Sequence, residues 1–423
     1  MAAPVSPPRI LVVGGGGPDG GLAGPAVAAA LARRLAPREA SISLVRPPAP
    51  VTDLDLLADV VVGALRPSRV SRELSETDLA ADLAAVEELP GRLAHLDHTH
   101  RVARWRPVSG PERALHYDVL VLATPPRPPV GHEVPADLTE LADATGAEEL
   151  RHRLEAALDR ADASRDPEVR DRALTVVVRG AGTPAVRLAA ACVHVLRQGA
   201  LSRNSLRRTD VRVLLRCPGP LLPTDPDFGV EVGARLRDVG VEVRIEGADG
   251  SGTPEAADVR VALPAAGADA GGPVVLDADL AALRTEPSLD ADLRLTGLDA
   301  AWGIPGGGGP RAVRHAAEAV AANVVAELHG GRSEDYRAPT ALPVVGLTPG
   351  RGLARVAGLT VAGRAAGALD RVRTLVELPT ARRRAAVLGG WARGGWASRR
   401  SGRTGRDAVP VDPFVAAAPG VEA

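Results

Sequence analysis

Short apolar runs followed by glycine turns mark two places in the chain. The first run is Ile10-Leu11-Val12-Val13. A run this short, rich in β-branched residues, predicts a buried strand. Gly14 to Gly17, Pro18, Asp19, Gly20 and Gly21 then predict a turn, Ala23 to Leu35 an alanine-rich helix, and Ala40 to Val45 a second strand. The unit fits within about 35 residues, the size of a dinucleotide-binding strand–helix–strand unit. The pattern recurs with a strand at 174–178, a turn at 179–185, a helix at 186–198 and a strand at 211–215. Between the copies, Tyr117 to Thr124 reads as a buried strand running into the proline-rich crossover Pro125 to Val130. Ser164 to Asp171 reads as a charged linker and 247–272 as loop-rich. Arg311 to Leu328 reads as a helix and 401–423 as a disordered tail. Strands and helices alternating in this way build parallel sheets covered on both faces.

The glycine turns carry the candidate chemistry. Gly15-x-Gly17-x-x-Gly20 follows a strand and opens a helix. The first glycine permits the tight turn, the second lets backbone approach a pyrophosphate, and the third lets helix and strand pack closely. Gly180-x-Gly182-x-x-Ala185 is the second copy, with alanine at the third place. A carboxylate at the end of the second strand normally bonds the ribose hydroxyls. Here both such positions are cationic, Arg46 and Arg216. Arginine at the second site suits a 2′-phosphate, and hence NADPH.

Composition removes several other functions. At 423 residues, two or three domains are expected. A net charge of −1 argues against a dedicated nucleic-acid binder. All 51 basic residues are arginine, so no Schiff-base or phosphate-loop lysine is available. Cys192 and Cys217 supply neither a disulfide framework nor a zinc site, and their spacing predicts no dithiol relay. His95, His98 and His100 lack the carboxylate and cysteine company of a metal site. No bilayer-length apolar run and no signal segment is seen, which predicts a cytoplasmic protein or one peripheral to the inner face of a membrane.

The two copies, together with further stretches, resemble the type II NADH dehydrogenases, within the pyridine nucleotide-disulfide oxidoreductase superfamily. These stretches are Leu54 to Leu65 with Arg66-Pro67-Ser68, Tyr117 to Thr124, Leu221-Leu222-Pro223, and Arg382-Arg383-Arg384 leading to Trp391. The resemblance implies an α/β fold of two Rossmann-like dinucleotide-binding domains. An FAD domain would comprise 1–135 and 286–335, with an NAD(P) domain inserted at 136–285 and a C-terminal region at 336–400. It implies FAD on Gly15, Gly17, Gly20, Arg46, Ala123, Thr124 and Gly306, and NAD(P)H on Gly180, Gly182, Ala185 and Arg216. Hydride would pass to the flavin, and electrons to a quinone or another small acceptor, with the cofactor doing the chemistry. The C-terminal region would rest on a membrane surface or meet a second copy of the chain. Its Gly389, Gly390, Gly394 and Gly395 weaken a helix there.

The sequence departs from the family pattern at cofactor positions. Pro125 follows Ala123-Thr124 where the family has glycine, and Ala301 to Gly306 lacks the ribityl-binding carboxylate. Arg187 replaces the glutamate after the second glycine motif, and Ala312 to Ala316 lacks the quinone-site glutamine. These changes keep a second reading open, a pseudoenzyme that retains the fold as a binding or regulatory module.

Overall fold

The computed structural model describes residues 7–14, 21–123, 139–245, 256–263, 275–276, 289–305, 309–340, 342–348 and 350–401. Its first strands are β1 (Arg9–Val13), β2 (Ser41–Arg46), β3 (Val51–Thr52), β4 (Ser71–Arg72), β5 (Glu87–Asp97), β6 (Val102–Pro107), β7 (Arg113–His116), β8 (Val119–Leu122) and β9 (Thr139–Glu140). Then come β10 (Thr175–Arg179), β11 (Arg212–Cys217), β12 (Val241–Ile245), β13 (Val259–Ala262), β14 (Val275–Leu276), β15 (Ala301–Gly303), β16 (Val344–Thr348), β17 (Arg351–Val356) and β18 (Leu359–Gly363). The helices are α1 (Ala23–Ala32), α2 (Leu57–Val61), α3 (Ala80–Leu83), α4 (Ala144–Ala163) and α5 (Pro167–Leu174), then α6 (Gly182–Leu201), α7 (Pro226–Val239), α8 (Pro310–Leu328), α9 (Arg364–Glu377) and α10 (Ala381–Ser401).

The chain divides into two compact units. The first holds Met1–Leu54, Ser71–Glu133 and Pro264–Thr340; the second holds Asp55–Val70, Val134–Leu263 and Ala341–Ala423.

In the first unit the sheet order is β15-β8-β1-β2-β5-β6-β7, with β14 beside β5. The strands from β15 to the start of β5 pair in parallel, and β5, β6 and β7 continue as an antiparallel ribbon. β1 is central and buried on both faces. Ile10 and Val12 pack with α1 and α8, while Leu11 packs with Val45, Leu120, Trp105 and Tyr117 on the other face. Successive strand side chains point to opposite faces, so one apolar pentapeptide serves two cores.

The second unit has a five-stranded parallel sheet, β12-β11-β10-β13-β9, and a three-stranded antiparallel sheet, β16-β17-β18. Helix α6 buries Ala185, Leu188, Ala189, Cys192 and Leu196.

Three local expectations are corrected. The stretch read as a linker at 164–171 mostly forms α5, opened by an Asp166 N-cap that accepts from the Glu168 N–H and by Pro167 in the first turn. That Asp-Pro start is a helix signal in its own right. Within the expected loop at 247–272 the described part carries β13, which extends the sheet beside β10. The glycines at 389–395 do not interrupt α10. Val387 and Trp391 are buried there, and Gly390 lies so close to the Leu65 side chain that a Cβ would meet it at 2.4 Å. Packing thus outweighs a propensity cost of about 1 kcal/mol per glycine. The tail expected beyond residue 401 lies outside the described residues.

Candidate dinucleotide-binding sites

In the first unit the carboxyl ends of β1, β2 and β8 converge. The Gly14 N–H donates to the Val45 carbonyl at 3.0 Å, and the Ala123 N–H to the Val13 carbonyl at 2.8 Å. Strand and helix approach very closely here: a Cβ on Gly14 would sit 2.5 Å from the Gly24 Cα and 3.2 Å from the Ala123 Cβ. That approach is what a glycine turn needs in order to bring a helix start to a pyrophosphate. Gly15, Gly17, Gly20, Thr124 and Gly306 lie outside the described residues. Arg46 is described, and it is buried. It donates to Glu88 at 2.8 Å and to the Ala49 carbonyl, while its Nε–H has no partner among the described residues. The close approach of β1 and α1 at Gly14 and Gly24 therefore fits a dinucleotide such as FAD. At the strand end, however, the chain offers a buried donor where a ribose would usually find an acceptor.

In the second unit β10 runs into Gly180, whose N–H donates to the Arg216 carbonyl at 3.0 Å. Gly182 opens α6 at φ +82°, a left-handed conformation that a side chain would strain. Its N–H donates to the Leu221 carbonyl, and Ala181 caps the helix without a side-chain bond. Ala185 is buried one turn further on. Uncapped N–H groups at a helix start form an anion site. Beside it the parallel register aligns Arg179 with Arg216, and Arg216 with Arg244. Three arginines thus form a row across the carboxyl ends of three neighbouring strands, the edge where such sheets bind ligands. Arg216 was legible in the sequence. Arg179 and Arg244 were missed, although each stands at or next to the end of an apolar strand.

Arg187, on the next turn of α6, is not an isolated replacement for a carboxylate. Its guanidinium pairs with Asp370 of α9, donates to the Asp55 carbonyl at 2.8 Å, and reaches Thr374 at 3.3 Å. Asp55 also accepts from Thr183 at 2.8 Å and from Arg373 at 3.1 Å. Burial opposes the charge on Arg187, but Asp370 and Asp55 overcome it and raise its pKa. Burial likewise opposes ionisation of Asp55, and Arg373 and Arg187 reverse this to lower its pKa.

Asp59 stands apart from this pairing. It lines a cavity of about 60 Å³ with Arg187, Asp370 and Trp391, room for a few waters. Burial pushes its carboxyl up to about 6, against the pull of Arg187. A carboxyl that holds its proton more tightly when folded contributes fully below about pH 4, and the contribution is lost as pH rises through 6. Urea unfolding across that window should show stability falling with pH in this way. Asp59→Asn should remove that slope and add about 3 kcal/mol at pH 7.5. An unchanged slope in the variant would place the titration elsewhere.

The remaining sequence candidates separate. His98 is buried between the Tyr117 hydroxyl at 3.0 Å and the Asp299 carbonyl at 2.9 Å, while His100 is exposed and bonds Asp97. Cys192 and Cys217 are both buried, and burial pushes the Cys192 thiol up to about 12, far from a reactive thiolate. Among the described residues no helix is long and apolar enough to cross a membrane.

Two sheets with parallel centres, each with a central strand followed in the sequence by a glycine-rich stretch and a helix, define an α/β protein of two Rossmann-like domains. Residues 8–262 match the family described as pyridine nucleotide-disulphide oxidoreductase, and the chain belongs to that family. A stretch of 101 residues is 35% identical to the type II NADH:quinone oxidoreductase Ndh of Mycobacterium tuberculosis, covering 23% of this chain and 22% of that relative. The fold is similar to NDH2 from Plasmodium falciparum in complex with RYL-552, with TM-score 0.69 and 11% identity over 93% of this chain and 99% of that one. It is also similar to the sulfide:quinone oxidoreductase of Aquifex aeolicus, with TM-score 0.57 and 17% identity over 88% and 90% of the two chains. At such identities the two structural likenesses speak for the fold.

Proposed function

We propose that the protein is an FAD-dependent NAD(P)H oxidoreductase that favours NADPH and passes electrons to a quinone or another small acceptor. FAD would lie on the first unit, held by the Gly15–Gly20 turn, Ala123, Thr124 and Gly306. Bound there, the flavin would supply the two-electron acceptor for hydride. The nicotinamide nucleotide would lie on the second unit, with its pyrophosphate at the start of α6 and its 2′-phosphate on the arginine row. The row of Arg179, Arg216 and Arg244 is the observation that carries this reading, because arginine forks bind phosphate far better than a ribose hydroxyl. The similarity to an NADH:quinone oxidoreductase supports the acceptor class. Exposed Val372 and Val376, one turn apart on α9, and Leu388 on α10 stand among arginines and suit contact with an anionic membrane surface.

Purified protein, reconstituted with FAD, should be yellow and should oxidise NADPH faster than NADH with a soluble quinone. Arg216→Glu should lower kcat/KM for NADPH by roughly 10- to 100-fold, the worth of one charge-assisted hydrogen bond, and change that for NADH little. Arg46 is the observation that favours the second reading, a pseudoenzyme. Protein that stays colourless after reconstitution would establish it.

A further inference from the structure

The antiparallel ribbon of the first unit carries a feature that the dinucleotide reading does not use. Arg92 of β5 stands directly opposite Arg106 of β6. One step further the register shifts past Ala94, so that His95 stands opposite Arg104. That bulge sets Arg92, Arg104, Arg106 and His95 on one face of the ribbon. Leu93, Trp105, Leu96 and Ala103 turn the other way, into the core. Without the bulge, His95 would fall out of step with Arg104, because strand side chains alternate between faces.

Like charges directly opposite each other destabilise a ribbon. The Arg92–Arg106 pair is a cost that the local fold does not explain, and Arg104 stands next to it on the same face. These four side chains line a groove of about 770 Å³, walled by Pro48, Pro107 and Val108. This is within the usual size range of small-ligand sites. Among the described lining residues the one carboxylate is Glu112, 3.6 Å from Arg106. One buried Nη1–H of Arg92 has no partner among the described residues. No Trp, Tyr or Phe is among the described lining residues, so there is no surface on which a base would stack.

We infer that this groove is an anion site for a compact, multiply phosphorylated ligand, bound by its phosphates through Arg92, Arg104 and Arg106. Planar guanidinium forks match phosphate oxygens in pairs, and a ligand of several negative charges relieves the repulsion among the three arginines. His95 adds a further donor, and a further charge when protonated.

Inorganic pyrophosphate is the probe, titrated calorimetrically into the full chain at low salt, with and without FAD loading. It should bind whether or not flavin is present, and more weakly as salt rises. Arg92→Gln/Arg106→Gln should weaken this binding at least tenfold, while Arg216→Gln retains it. The same double variant should melt at a higher temperature than the parent when ligand-free, because the cross-strand repulsion is gone. A merely structural role for the two arginines would lower the melting temperature instead. Absence of heat, loss of binding on FAD loading, or unchanged binding in the double variant would overturn the inference. None of these readouts needs NADPH turnover, so an inactive or colourless protein tests it equally well.

Discussion

Replacing Arg187 by alanine should destabilise the protein by about 3–5 kcal/mol, the range for removing one partner of a buried ion pair. Arg187 and Asp370 are each only 7% exposed, and they pair directly. Loss of the guanidinium leaves Asp370 without its main partner and strips Asp55 of one of its two cations. Arg373 remains, 3.1 Å from Asp55 and 3.7 Å from Asp370, but it also serves Glu377 at 2.9 Å. Urea unfolding of Arg187→Ala measures the loss. The double variant Arg187→Ala/Asp370→Ala should recover part of it, since no single charge is then left buried on that side. Strict additivity of the two substitutions would mean that the pair is not coupled.

The second large effect is expected at Gly14. Gly14→Ala places a Cβ 2.5 Å from the Gly24 Cα and 2.8 Å from its N, and both contacts are backbone. Neither partner can rotate away, so β1 and α1 must separate. Overpacking of this kind costs about 1–3 kcal/mol or more. Gly24→Ala makes the reciprocal contact at 2.8 Å from the Gly14 Cα. Each single variant should melt lower and bind FAD more weakly, measured by flavin fluorescence quenching. The double variant should cost less than the sum, because the first separation already makes room for the second methyl. Parent-like melting of Gly14→Ala would mean that strand and helix are not held at this distance.

The two strand–turn–helix units were legible because their signals are local. β1, β8, β10 and α8 follow from apolar runs, glycine turns and helical spacing within ten to twenty neighbouring residues. α5 and β13 were not read, since a charged eight-residue helix and a four-residue strand have little amphipathic signal of their own. The candidate site was legible in part. Arg46 and Arg216 stood out at strand ends, but the partners that define them did not. Arg46 looked like a misplaced ribose contact, and the structure shows it buried and held by Glu88 and the Ala49 carbonyl.

Sequence by itself determined the two units of strand, glycine-rich stretch and helix, the strand β8, the helix α8 and the placing of arginines where carboxylates are usual, because each depends on side chains close together in the chain. Tertiary structure alone decided what those arginines do. Asp370 meets Arg187 from 183 positions away, and Asp55 from 132. Arg179, Arg216 and Arg244 become one row only when three parallel strands take a common register. Arg92, Arg104, Arg106 and His95 share one face of the β5–β6 ribbon only because a bulge shifts that register by one residue. Strand register and long-range charge pairing are set by how the whole core packs, and a one-dimensional pattern of apolar and polar positions does not carry that information.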